Sequence, residues 1–375
     1  METATRVGAH HGWVARAVET LSPGYFAMVM GTGIVSIGLH DLGWSGLSLT
    51  LLIVAAVSYL GLWVLYVWRA VSFRQAMLHD LRSPETAFAY FTVVAATDVL
   101  AVRLLAEGFT GVAVALVGFA ALVWFVFGYL LPWQVLMRRD GRPILARTNG
   151  TWFIWAVASQ SLAIGMSMLQ PLAGRGQAWV ALLAVLSWSV GVALYAAVAM
   201  LVLLRIVHFG ITAEQFEPPY WVTMGAMAIA VVAGSRIVEM EPTPMVEATG
   251  RLIAGTVAIF WTFCLWLIPM LVGAGFWRHV RHRVPLRYVP TLWSIVFPVG
   301  MFAVASINLG RVDRLPIVEG IGSVTLIVAV LVWAVVFLAM LRHVVRVATG
   351  RADALPSGPT DSTVAESVHG FDPDA

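Results

Sequence analysis

The chain has 375 residues, of which 60% are hydrophobic and only 11% charged, against about 25% charged in ordinary globular domains. So few charges cannot cover the surface of a water-soluble protein of this length, and the composition reads as an all-α, polytopic membrane protein. A single cysteine, Cys264, excludes a disulfide framework and a cysteine metal site.

Ten helical spans are predicted, at about 23–40, 47–68, 85–106, 110–131, 151–169, 178–204, 219–238, 252–276, 290–309 and 317–341, runs suited to a hydrocarbon core of about 30 Å. They form one transmembrane domain over 21–347, with an N-terminal segment at 1–20 and a polar tail at 348–375 that reads as disordered. Arg6 and Arg16 precede the first span as in a signal peptide. No small-x-small cleavage site follows, however, and the sequence runs through "LHDLGW" into another span.

The first span opens "SPGYFAMVMGTGIVSI", with Gly31 and Gly33 inside it, although an interior glycine costs about 1 kcal/mol relative to alanine. Related entries open every odd span: "SPETAF", "NGTWF", "PPYW" and "VPTLW". Their anchors, Pro23, Pro84, Gly150, Pro218 and Pro290, lie 61, 66, 68 and 72 residues apart. That periodicity signals a repeated helical hairpin, used five times. Odd spans are rich in small residues and aromatics, whereas even spans are plain aliphatic. Small residues let helices approach closely in lipid, so the odd helices belong inside, in a quasi-fivefold ring able to enclose a central pore. The same residues also serve simply to pack a solid core.

Counting three residues from the anchors places Phe26 and Phe153 on a presumed lumen face. Counting seven adds Met30, Phe91, Val157, Gly225 and Phe297; positions three and seven are one turn apart. An apolar waist of this kind gates by dewetting, and core packing is the alternative for each ring. The third span also carries Asp98, an intramembrane carboxyl that is a functional candidate for proton coupling, with pairing to a neighbouring helix as the alternative. Arg103, Arg236 and Arg311 close the third, seventh and ninth spans. Without a ring of acidic residues they read as anion attraction at the outer mouth, or as interface anchors. Pro298, mid-span in the ninth helix, frees a backbone carbonyl and predicts a kink.

Seventeen of the 23 basic residues, all arginine, fall on the side of the two termini. Short basic loops stay in the cytoplasm, so both termini are expected there. Topology accounts for the basic loops, and nucleic-acid binding is not expected. "GTGIVSIG" follows no strand and so is no nucleotide loop, and no span has metal-ligand spacing. No enzyme chemistry, metal or cofactor is expected.

"PGYFAMVMGTGIVSI", "PPYWVTMGAMAIA" and above all "LWSIVFPVGMFAVAS" resemble the tellurite-resistance/dicarboxylate transporter family, over Leu21 to Leu341. That family includes tellurite-resistance proteins, malate permeases, sulfite efflux pumps and the plant slow anion channel. The resemblance implies ten helices as five hairpins around a central pore, a homotrimer, and a phenylalanine before the ninth-span kink that occludes the pore, here Phe297. Some members have glycine where Pro298 stands. The expected function is passage of small anions (C4-dicarboxylates, sulfite, tellurite or halide-like) across the plasma membrane. A proton-coupled dicarboxylate carrier using Asp98 and a non-transporting sensor or scaffold are the alternatives.

Overall fold

The computed structural model describes residues 14–137 and 143–349. The expected tail from residue 350 onward and the first thirteen residues of the N-terminal segment lie outside them; residues 14–19 form a short helix. Every regular element among the described residues is helical. The long helices are α1 (Ala27–Asp41), α2 (Ser45–Ser72), α3 (Thr92–Ala106), α4 (Thr110–Leu136), α5 (Phe153–Leu169), α6 (Gln177–Phe209), α7 (Val222–Val238), α8 (Pro244–Phe276), α9 (Trp293–Val312) and α10 (Pro316–Ala348).

Nine of these, all but α1, are long and apolar enough to cross a membrane when α3, α5, α7 and α9 are taken with the turns that lead into them, which establishes a multi-pass integral membrane protein. The 15 residues of α1 rise about 22 Å, and the 3-10 turn Pro23–Phe26 that leads into it adds about 8 Å. The same device precedes every odd helix: Ala87–Phe91, Gly150–Trp152, Pro218–Trp221 and Pro290–Leu292. Four of these entries fall on the expected anchors. In the second, the turn begins three residues after Pro84.

Each odd helix packs on the even helix that follows it, giving five hairpins. Gly43 and Gly108, at φ +80° and +84°, turn the first two sharply, in the left-handed region that glycine enters without steric penalty. The odd helices also pack on one another in chain order, and α9 packs back on α1. Burial separates the two sets. In α3, α5, α7 and α9 between 72% and 89% of the apolar window is buried, against 17% to 33% in the even helices. The even helices therefore carry the lipid-facing surface, where leucine and valine lose nothing by exposure.

Glycines set the inner spacing. A Cβ on Gly33 would lie 2.5 Å from Val99 of α3, and one on Gly31 would lie 3.0 Å from Val296 of α9. The propensity penalty in α1 is thus offset by close helix contact. Gly225 leaves room for Pro298 in the same way, its absent Cβ being 2.7 Å from the proline ring. The α-helical run of α9 continues through Pro298.

Candidate functional site

Helix α9 is fixed on four sides. Val296 meets Gly31 of α1 and Pro298 meets Gly225 of α7. Phe302 stacks on Trp261 of α8 at 6.3 Å, and Trp261 Nε1 donates to Ser306 Oγ at 2.9 Å. The backbone of Ala303 and Ile307 lies against Gly322 of α10. At about 100° per residue, Phe297 falls between the α1 and α7 contacts, roughly opposite α8. It is 2% exposed and has no aromatic partner among the described residues. Met30 occupies the matching place on α1, between Gly31, turned to α9, and Gly33, turned to α3. Val157 of α5 is buried as well.

Three expected pore residues lie elsewhere. Phe26 packs against Tyr59, Trp63 and Tyr66 of α2, with centroids 5.2 to 5.7 Å away. Phe153 packs on Tyr195 of α6 at 5.3 Å. Phe91 sits among Phe88, Phe127 of α4 and Trp155 of α5. These rings, expected as gate (Phe91) and pore lining (Phe26, Phe153), fill the seams between inner and outer helices. The entry turns are 3-10, so three residues make a full turn there; α-helical counting from the anchors misassigns the face.

The three outer arginines are each engaged with a carboxylate. Arg103, 1% exposed, donates through Nε and Nη2 to Ser48 and through Nε to Ser36, and pairs with Glu107 at 2.8 Å. Its Nη1 is buried without a partner. Arg236 pairs with Glu239 at 3.0 Å and donates to Asn308 Oδ1. Arg311 pairs with Glu319 at 2.8 Å and donates to the Asp41 carbonyl. The reading of this end as positive without acidic residues is therefore corrected: the acids come from neighbouring turns and from α10.

Asp98 is 1% exposed. Ser161 of α5 donates to its Oδ2 at 2.8 Å; among the described residues its Oδ1 has no partner and no arginine pairs with it. Its neighbours Gly165 and Val117 place it where α3, α4 and α5 meet.

At the entry end of the odd helices lies a cavity of about 760 Å³ whose wall includes Glu217 and Arg278. The sequence reading overlooked both. Its one available signal was Glu217, an acid placed directly before the "PPYW" entry.

The model of the voltage-dependent anion channel family, SLAC1, matches residues 20–341. The chain belongs to that family. Two uncharacterized transporters of Methanocaldococcus jannaschii are similar to this SLAC1-family chain, each 23% identical over 81% of it and 88% or 89% of their own length. An uncharacterized membrane protein of Mycobacterium tuberculosis is 52% identical over 150 residues, 40% of this chain and 76% of its own. The SLAC1 match covers the helical body from the first entry turn into α10, with Phe297, Met30, Glu217 and Arg278 inside it.

Proposed function

We propose that the chain passes small anions along the axis of the ring formed by α1, α3, α5, α7 and α9, with Phe297 as the gate and Met30 beside it. On this reading ten helices cross the plasma membrane as five hairpins around a central pore. The arginine-rich entry end and both termini face the cytoplasm, and the protein assembles as a homotrimer. The observation that carries the reading is Phe297 itself, a buried ring without aromatic partners on the one face of α9 that its four neighbours leave free, in a chain of an anion-channel family. Val157 and Gly225 contribute to the wall at the same level. C4-dicarboxylates, sulfite, tellurite and halide-like anions are the candidate solutes. Reconstituted Phe297→Ala protein should conduct anions faster than the parent in liposomes; a well-folded variant with unchanged flux removes Phe297 as gate.

A second reading rests on Asp98, whose Oδ1 is buried without a partner. A carboxyl so placed can carry a proton, giving a proton-coupled carrier. The same liposomes discriminate between the two: uphill uptake driven by a pH gradient and abolished by Asp98→Asn supports the carrier. Flux that only follows the anion's own electrochemical gradient supports the channel.

A further inference from the structure

The entry-end cavity is walled by the N-terminal segment, the lead-ins to α1, α7 and α9, and residues of the outer helices α2 and α10. Tyr25 reaches it from the lead-in to α1, Pro218 from that of α7, and Pro290 and Thr291 from that of α9. Its volume, about 760 Å³, is in the range of small-molecule sites. The wall is largely apolar and includes one guanidinium, one carboxylate and one imidazole, from Arg278, Glu217 and His343.

The local bonding prepares Arg278 to hold a ligand. All of its hydrogen bonds leave from Nη1, to the carbonyls of Ala213, Glu214 and Phe216. The guanidinium is thereby fixed at one corner, and its other N–H groups are unengaged among the described residues. The Glu217 carboxylate accepts no hydrogen bond there either, and it feels Arg278 without forming an ion pair with it.

We propose that this cavity binds a small monovalent anion at Arg278, and that Glu217 competes with the anion for that cation. Ionised Glu217 neutralises the site and repels the anion. Protonated Glu217 releases Arg278, so one anion and one proton bind together, each favouring the other by the same factor. The inference rests on the anion reading above and names where the anion is first held.

Burial pushes the Glu217 carboxyl above the usual carboxylate range against the pull of Arg278, so the exchange falls at mildly acidic pH. The other titratable groups of the neighbouring segments do not supply it. Glu214, in the same loop, is held below the usual range by hydrogen bonds from its own backbone and Thr212 and stays ionised. Tyr288, hydrogen-bonded to Tyr25 at 3.1 Å, is pushed further up by burial and stays neutral. Arg205 is bonded to the Gly210 carbonyl and to Gln215. His343 of α10 is the remaining titratable group, since histidine changes charge in the same window.

The test uses the purified full-length chain with nitrate as probe, read as the nitrate-induced rise in melting temperature. The parent protein should bind nitrate about tenfold more tightly at about pH 5.5 than at about pH 7.5. Glu217→Gln should bind tightly at both, and His343→Gln should keep the parental pH dependence. The inference is overturned if Glu217→Gln titrates like the parent, or if His343→Gln abolishes the effect. It is also overturned if nitrate stabilises no variant at either pH. This readout needs no flux: if Phe297→Ala passes no anion while pH-linked binding persists, the gate fails and the binding site stands.

Discussion

Arg69 of α2 is 1% exposed, and its Nη2 reaches Asp80 Oδ2 at 2.6 Å while Nε donates to the Glu19 carbonyl and Nη1 to Tyr90. Four segments, the N-terminal helix, α2, the short helix Arg74–Arg82 and the lead-in to α3, are tied through one guanidinium. Replacing Asp80 by Ala leaves that cation buried without its carboxylate, a loss of about 3–5 kcal/mol. Thermal unfolding in detergent should show a large drop for Asp80→Ala, and an Arg69→Met, Asp80→Leu double variant should regain part of it. A double variant no better than the single one would show that the pair does more than neutralise itself. At this scale the sequence was legible only where one residue is conspicuous alone. Asp98 stands out because a carboxyl inside an apolar run has few explanations. Asp80, in the polar helix Arg74–Arg82 between spans, does not, because its burial depends on contacts from α2 that no local pattern encodes. Arg103 shows the opposite failure: its place in the sequence suggests an outer mouth, yet Ser36 and Ser48 draw it into the α1–α2 hairpin.

Helix contacts in this chain are made through absent side chains. A Cβ on Gly150 would sit 2.3 to 2.5 Å from the backbone of Pro219 and Tyr220, whereas one on Gly61 of α2 would meet nothing within 4 Å. The same substitution should therefore have opposite signs at the two positions. Gly150→Ala forces the entry turns of α5 and α7 apart and should destabilise by about 1–3 kcal/mol. Gly61→Ala should be neutral or stabilising by up to about 1 kcal/mol through helix propensity alone. Melting temperatures of both variants in one detergent check the pair; equal losses would show that the glycines serve some purpose other than spacing. The division into buried odd and lipid-facing even helices was readable in advance, because composition follows environment in a membrane. The azimuth of individual aromatics was not. It depends on where each 3-10 turn passes into α-helix, and in the second repeat that transition is displaced from the proline marking it, so Phe91 turns into the seam with α4.

Over the whole molecule, the distribution of charge decides how an anion approaches. The net charge of +3 invites the idea of positive mouths at both ends, and arginine counting supports it, because a sequence shows charges and not their partners. Folding pairs Arg103 with Glu107, Arg236 with Glu239 and Arg311 with Glu319 at the far end of the odd helices. That end of the odd helices is therefore close to balanced, and on the proposed anion reading its arginines would attract anions only to the extent that their carboxylates are neutralised. Arg236 is the most informative of them, because its other guanidinium nitrogen holds Asn308 of α9, on nearly the same azimuth as Phe297 and about three turns away. Removing the opposing charge with Glu239→Gln should raise anion flux about twofold to fivefold at low ionic strength. The gain should vanish near 1 M salt, where the screening length is about 3 Å. If Glu239→Gln changes nothing at low salt while Arg236→Gln lowers flux, the far arginines act by direct contact with the solute instead of through the field of the mouth. In that case Asn308, which Arg236 holds, becomes the next position to substitute.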